Sequence, residues 1–277
     1  MTILVTGATG NVGRNIVASL LDAGQSVRAL TRRPETADLP AGAEVAAGDL
    51  DRADTLTSDL FKDVDRMYLF PTAEPQAVLS LATGAGVRRV VTLSALAVLM
   101  GEGNAIGDRH AVVERAAEAS GVEWTHLRPG PFSANALWQW AAMIRAEGVV
   151  RAPYGRSHQA PIHEADIADV AVAALLEDGH AGQAYALSGP ESLTQIERVA
   201  ALAEAAGRQI RFEEQTREQA LAVMLEQMPE PAAEMLLTFM AGSVDQPATI
   251  FPAYEQVIGH PGRAFAQWAA EHADAFR

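Results

Sequence analysis

The segment Gly7-Ala8-Thr9-Gly10-Asn11-Val12-Gly13, with glycines three residues apart, constrains this chain more than any other feature. It follows the apolar run Ile3-Leu4-Val5 and leads into Asn11 to Ala23, where Val12, Ile16, Val17, Leu20 and Leu21 fall at helical spacing. Strand, glycine turn and helix in that order open a dinucleotide-binding unit. The first glycine permits a tight turn, the second lets the backbone approach a diphosphate, and the third lets helix and strand pack closely. Backbone N–H groups at the helix start then face the negative charge. Gly7, Thr9, Gly10, Asn11, Val12 and Gly13 are therefore expected to hold a nicotinamide dinucleotide; the plainer alternative is a turn that merely joins two elements.

The rest of the chain continues the alternation. Ser26 to Thr31 and Glu44 to Ala47 read as strands, Leu56 to Phe61 as a crossover helix, and Met67 to Phe70 as the fourth strand. A helix over 76–85, a fifth strand at Arg89 to Leu93 closed by Ser94, a helix over 109–120 and a sixth strand at Trp124 to Leu127 follow. Between them the polar, glycine-rich stretch Gly101 to Asp108 is expected to be a mobile loop over a site. Short apolar strands alternating with amphipathic helices predict an α/β fold, a Rossmann-type doubly wound parallel sheet covered on both faces. After Pro131 the pattern loosens into helices over 136–146, 164–177, 194–206, 217–227, 231–240 and 263–273, with short strands near Val149, Tyr185 and Ile210. The expectation is one NAD(P)-binding domain, 1–277, carrying a small, mainly helical C-terminal lobe built mainly from 133–160 and 183–262.

The second strand ends in Leu30-Thr31-Arg32-Arg33-Pro34. A carboxylate there would bind the ribose hydroxyls of NAD, whereas Arg32 can pair with a 2′-phosphate, so NADP is the expected cofactor, with NAD possible. Asp49 and Leu50 should lie at the adenine edge, with Asp49 able to cap the following helix as well, and Phe70 and Pro71 should border the cofactor at the end of the fourth strand. A formal charge of -14 with one lysine argues against a nucleic-acid partner. The absence of cysteine excludes disulfides and thiol catalysis. No apolar run reaches membrane-spanning length and no basic leader precedes the first strand, so a cytoplasmic protein, monomer or homodimer, without a membrane partner is expected. In His163-Glu164-Ala165-Asp166 the acids read as a helix start rather than metal ligands, and no metal is expected.

Several of these segments together resemble the NmrA-like group of atypical short-chain dehydrogenases. They are the opening Gly-Ala-Thr-Gly-Asn-Val-Gly, Thr31-Arg32-Arg33-Pro34, Gly48-Asp49-Leu50, Ser120-Gly121 through Thr125-His126-Leu127-Arg128-Pro129, and Pro161-Ile162-His163-Glu164-Ala165-Asp166-Ile167-Ala168. The likeness runs to Gln267-Trp268-Ala269-Ala270-Glu271-His272. It implies the fold, a nicotinamide cofactor and a substrate cleft. It leaves open which of three activities applies: reduction of quinones, reduction of other flat aromatic compounds, or redox sensing with a protein partner and no turnover.

Ordinary short-chain dehydrogenases use a tyrosine acid with a lysine four residues later. Here the single lysine is Lys62 and the residue four before it is Ser58, so that pair cannot exist. In the corresponding helix stands His110-Ala111-Val112-Val113-Glu114, matching the group's His-x-x-x-Glu pattern, with both side chains on one face. His110, and Ser94 at the end of the fifth strand, are the candidate catalytic residues; a packing histidine and a loop-capping serine are the plainer readings. Phe132 and Trp138, with Trp140 nearby, are candidates for contact with a flat substrate, or ordinary core. Hydride transfer to a quinone needs no strong protein acid, because the ring delocalises the incoming charge. The sequence therefore points to an NAD(P)H-dependent oxidoreductase of quinones or related aromatic carbonyl compounds. The alternatives are a non-catalytic NADP(H) sensor and a tailoring enzyme, reductase or oxygenase-like, of aromatic polyketide biosynthesis in secondary metabolism.

Overall fold

The computed structural model describes residues 2–101 and 103–277. In chain order the first elements are β1 (Thr2–Val5), α1 (Gly13–Asp22), β2 (Ser26–Thr31), β3 (Glu44–Ala47), β4 (Val64–Leu69), α2 (Pro75–Gly84), β5 (Arg89–Leu93), α3 (Ala105–Ala119) and β6 (Glu123–Pro129). Then come α4 (Ala142–Glu147), β7 (Val149–Ala152), β8 (His158–Gln159), α5 (Glu164–Leu176), β9 (Gln183–Leu187), β10 (Leu193–Thr194) and α6 (Gln195–Ala206). The last are β11 (Arg211–Glu214), α7 (Arg217–Met224), α8 (Glu230–Gly242), α9 (Ala253–Ile258) and α10 (Phe265–Glu271). The chain falls into two compact units, one of 1–130, 164–187 and 252–260, the other of 131–163, 188–251 and 261–277.

The first unit is a parallel sheet of seven strands in the order β3-β2-β1-β4-β5-β6-β9. Its central strands are continuous apolar runs because both faces are covered: Ile3, Leu4, Val5, Met67, Tyr68, Leu69, Val90 and Val91 are all buried. Helix α1 turns Ile16, Val17 and Leu20 inward and packs beside α5, while α2 and α3 pack together over a core holding Leu4, Leu30, Val78, Leu79 and Val113. At roughly 1.5–3 kcal/mol for each fully buried large aliphatic side chain, these faces hold the helices on the sheet. Strand order reverses between β1 and β4, which places the fold's natural ligand crevice at their carboxyl ends.

The second unit pairs β7 with β11 in parallel and β8 with β10 antiparallel. Its core gathers Trp140, Ile144, Val150, Val199, Leu202, Phe265, Trp268 and Phe276. Helix α6 opens with a full capping box, in which the Thr194 side chain accepts from the Glu197 N–H and the Glu197 carboxylate accepts from the Thr194 N–H.

Four expectations need correction. Residues 56–61 form no α-helix; tight turns at Ala53–Thr55 and Ser58–Phe61 carry the crossover instead. Leu56, Leu60 and Phe61 are buried as the apolar pattern required, but Thr57, Ser58 and Asp59 favour turn over helix. The stretch 101–108 is not all loop, because the Asn104 side chain accepts from the N–H groups of Ile106 and Gly107, both at 3.1 Å, and starts α3 at Ala105. Glu102 of that stretch lies outside the described residues. Gln183–Leu187, assigned above to the lobe, is the seventh strand of the main sheet, paired with β6. The helix expected over 136–146 begins instead as a wide π turn at Leu137–Ala141.

Candidate active site

In the first unit, Gly7 has φ +60°, and a Cβ on it would lie 2.9 Å from the Phe70 ring. A Cβ on Gly13 would come 2.2 Å from the Gly7 carbonyl oxygen. Glycine at both positions is what lets α1 start directly on the turn. The Gly10 N–H closes the turn onto the Gly7 carbonyl at 2.9 Å. The α1 start at Val12 has no side-chain cap, and the N–H groups of Asn11, Val12 and Gly13 have no partner among the described residues. Three uncommitted donors at the positive end of a helix form an anion site, and they suit a diphosphate. Around them, the Arg14 side chain donates to the Thr9 carbonyl at 3.0 Å and Asn15 donates to the Asn11 carbonyl at 2.7 Å.

One hydroxyl manages the point where β1 and β4 part. Thr6 Oγ1 donates to the Tyr68 carbonyl at 2.9 Å and accepts from the Phe70 N–H at 2.8 Å. This sets the Phe70 ring against the Gly7 turn, with Pro71 buried behind it. Arg32 and Arg33 extend from the end of β2, exposed and without an ion pair among the described residues. Asp49 Oδ1 accepts from the Asp51 N–H at 3.1 Å, a self-capped turn, and the Leu50 carbonyl accepts from the Thr72 hydroxyl at 2.5 Å. Asp51 and Glu74 accept from the N–H groups of Ala73 and Ala53, so the loops after β3 and β4 are laced together beside the glycine turn.

Ser94 directly follows β5, and His110 approaches Leu93, the last residue of that strand. The Ser94 side chain is 2 % exposed, and its hydroxyl has no hydrogen bond of normal geometry. His110 sits with its ring beside the Leu93 carbonyl; its Nδ1 is buried without a partner, and burial lowers its pKa despite that carbonyl. The imidazole is therefore neutral at neutral pH and offers hydrogen bonding rather than a strong acid. His110 and Glu114, one turn apart on α3, share no hydrogen bond among the described residues. Glu114, buried, is held instead by Arg128 from β6, through Nε to Oε1 at 2.8 Å and Nη2 to Oε2 at 2.6 Å. Burial tends to raise the Glu114 pKa, but the Arg128 fork and the nearby Ser94 hydroxyl outweigh it and hold the carboxyl below its ordinary value. Arg128 was visible in sequence only as part of a family segment. Its pairing was hidden because helix spacing suggests partners on the same helix, whereas this one arrives from a strand.

In the second unit, Phe132 is half-buried and bridges Ile162 through its backbone. Trp138 is 61 % exposed, and its indole N–H donates to Asn135 at 3.3 Å. Trp138 and the buried Trp140 line a cavity of about 220 Å³ together with Met224, Met228, Phe239 and Met240; Phe132 does not line it. The acids of 163–166 build no metal site: His163 bonds Glu271 at 3.0 Å, Glu164 and Asp166 occupy the first turn of α5, and no cluster among the described residues could hold a metal.

Sheet order, switch point and uncapped glycine turn define a dinucleotide-binding protein of the doubly wound class. Residues 7–178 match the model of the NAD(P)H-binding family, and the chain belongs to that family, in its NmrA-like atypical short-chain dehydrogenase branch. It is 42% identical over 281 residues to a (4-alkanoyl-5-oxo-2,5-dihydrofuran-3-yl)methyl phosphate reductase of Streptomyces griseus, covering 99% of both chains. It is 35% identical to an NAD(P)H azoreductase of Xenophilus azovorans, again over 99% of both. The crystal structure of an NADPH-dependent quinone oxidoreductase of Escherichia coli superposes with TM-score 0.79 at 26% identity, covering 97% of this chain and 98% of that one. The protein is an NAD(P)H-dependent oxidoreductase.

Proposed function

We propose that this reductase delivers hydride from NADPH to a conjugated acceptor, a quinone or related aromatic carbonyl compound, without a tyrosine–lysine pair. The observation that carries the reading is two buried polar atoms near the end of β5, Ser94 Oγ and His110 Nδ1, that make no hydrogen bond of normal geometry among the described residues. Buried polar atoms are rarely left unmatched, and the polar groups of a ligand can supply the missing partners. The bound nicotinamide supplies the hydride. The free N–H groups of Asn11, Val12 and Gly13 hold its diphosphate, with Gly7, Thr9 and Gly10 shaping the turn. Arg32 would neutralise the 2′-phosphate, Asp49 and Leu50 would lie at the adenine, and Phe70 and Pro71 flank the turn. Ser94 and the neutral imidazole of His110 orient the acceptor carbonyl by hydrogen bonds.

This arrangement matches acceptors that store the incoming electron pair themselves. The substrate named for the Streptomyces relative has a ring double bond conjugated to a lactone carbonyl and an acyl carbonyl, and an azo group is likewise conjugated. A quinone shares that property, whereas an isolated ketone needs a proton donor of suitable strength close by. That same relative, by its name, acts on a small acylated phosphate, which keeps a tailoring role in specialised metabolism compatible with the reading. The relatives named as reductases do not favour a pure sensor. The test is NADPH oxidation by purified protein across simple quinones, with simple aliphatic ketones as controls. Turnover confined to the conjugated acceptors is expected. No turnover across the panel, together with NADP+ and NADPH binding of clearly different affinity by calorimetry, would replace the reading with the sensor.

A further inference from the structure

Arg198, on the second turn of α6, is 5 % exposed, yet its guanidinium makes no hydrogen bond or ion pair with any described residue. Its only neighbour of note is the ring of Trp140, 4.8 Å from the guanidinium carbon to the ring centroid. Burial alone lowers its pKa, to about 10, and no carboxylate counteracts that. Even so it stays charged at neutral pH. Arginines taken out of water are normally paired with a carboxylate or phosphate, because the ring face of a tryptophan compensates only part of the lost hydration.

Arg198 lines the 220 Å³ cavity of the second unit. No aspartate or glutamate among the described residues lines that cavity, although the chain carries a formal charge of -14. The other cavity arginine, Arg151, is already committed to Glu213 at 2.9 Å and Glu147 at 2.7 Å. The side-chain N–H groups of Gln195 are likewise spent, on the Pro153 and Tyr154 carbonyls at 2.7 and 3.0 Å. The remaining wall is largely apolar, and methionines and aromatic rings adapt to varied shapes. Its volume equals roughly seven waters at about 30 Å³ each.

We propose that this cavity is a binding site for an amphiphilic anion, with the oxyanion of a small phosphate monoester or carboxylate against Arg198 and its apolar body among Trp138, Trp140, Met224 and Met240. The guanidinium fork supplies paired donors for either oxyanion, and the tryptophan face holds the fork from behind. The site lies within the second unit and stands apart from the reductase reading; it concerns binding, and no chemical step is assigned to it.

Octyl phosphate, octanoate and 1-octanol, titrated separately, test the proposal through tryptophan fluorescence and thermal shift. The wild-type chain is expected to respond to at least one of the two anions and at least ten-fold more weakly to the alcohol. A response to octyl phosphate alone identifies a phosphate site, and comparable responses to both anions identify a general oxyanion site. In Arg198→Met the anion affinity should fall ten-fold or more while NADPH binding is retained. Val223→Trp, which fills the cavity from α7 and leaves Arg198 in place, should weaken the same anions even if the arginine variant folds poorly. Equal binding of the alcohol, no response to either anion, or undiminished anion binding in a folded Arg198→Met chain would overturn the assignment.

Discussion

Replacing Gly13 by alanine sets two physical effects against each other at one atom. Gly13 is the first residue of α1, and alanine is the better helix former by up to about 1 kcal/mol. The new Cβ, however, would lie 2.2 Å from the Gly7 carbonyl oxygen, 2.8 Å from its carbon and 2.9 Å from the Ala8 Cα, all backbone atoms that cannot rotate away. Relief requires the helix start and the turn to separate by about 1 Å, given that carbon contacts become favourable only near 3.5 Å. Overpacking of this kind costs about 1–3 kcal/mol, so the net expectation is a loss of about 1–2 kcal/mol, or roughly 2–8 °C in Tm. The larger consequence is functional, because the separation moves the Asn11, Val12 and Gly13 donors that are meant to share one diphosphate. NADPH affinity should fall at least ten-fold by calorimetry. Gly84→Ala at the last residue of α2 is the control, since its Cβ would meet nothing within 4 Å. That variant should be neutral or gain a few tenths of a kcal/mol. A Gly13→Ala chain at least as stable as wild type with unchanged NADPH affinity would refute the close-approach argument.

Arg32→Asp should abolish any preference for NADPH over NADH in steady-state KM values; unchanged NADPH affinity would remove Arg32 from the site. Glu114→Gln strands the Arg128 charge and should cost about 3 kcal/mol in a denaturant melt at neutral pH. Because the Glu114 pKa is depressed in the folded chain, its contribution is complete above the ordinary glutamate range and disappears as pH falls through the lowered value, so the difference between variant and wild type should shrink in acid. Ser94→Ala should change Tm little, since the hydroxyl it removes makes no hydrogen bond of normal geometry, while lowering kcat/KM for a quinone about ten-fold, the equivalent of one hydrogen bond. His110→Ala should lower kcat/KM without adding a pH dependence near neutrality, because the ring is already neutral there.

The central strands of the main sheet were legible because they are buried on both faces and therefore written as short apolar runs, as in Ile3-Leu4-Val5 or Val90-Val91. The glycine turn was legible because a close backbone approach admits one residue type. Residues 56–61 misled because burial of Leu56, Leu60 and Phe61 fits a helix and a pair of tight turns equally well. The seventh strand was read as lobe because its parallel pairing with β6 is made by a long crossover over many residues, not by local pattern. The Glu114–Arg128 fork and the isolation of Arg198 are facts of tertiary neighbourhood. Nothing in the local sequence says which charge meets a partner and which meets only a ring.

The double hydrogen bond of Thr6 has a bearing on engineering. Where two parallel strands diverge, the ladder must give up regular pairing, and a single hydroxyl there acts as the wedge that keeps the mouth of the sheet apart without stranding a main-chain amide. A cofactor pocket grafted onto this scaffold would need that wedge as much as the glycines, because valine, its nearest isostere, would fill the same space yet release the Phe70 amide and let the rim go slack.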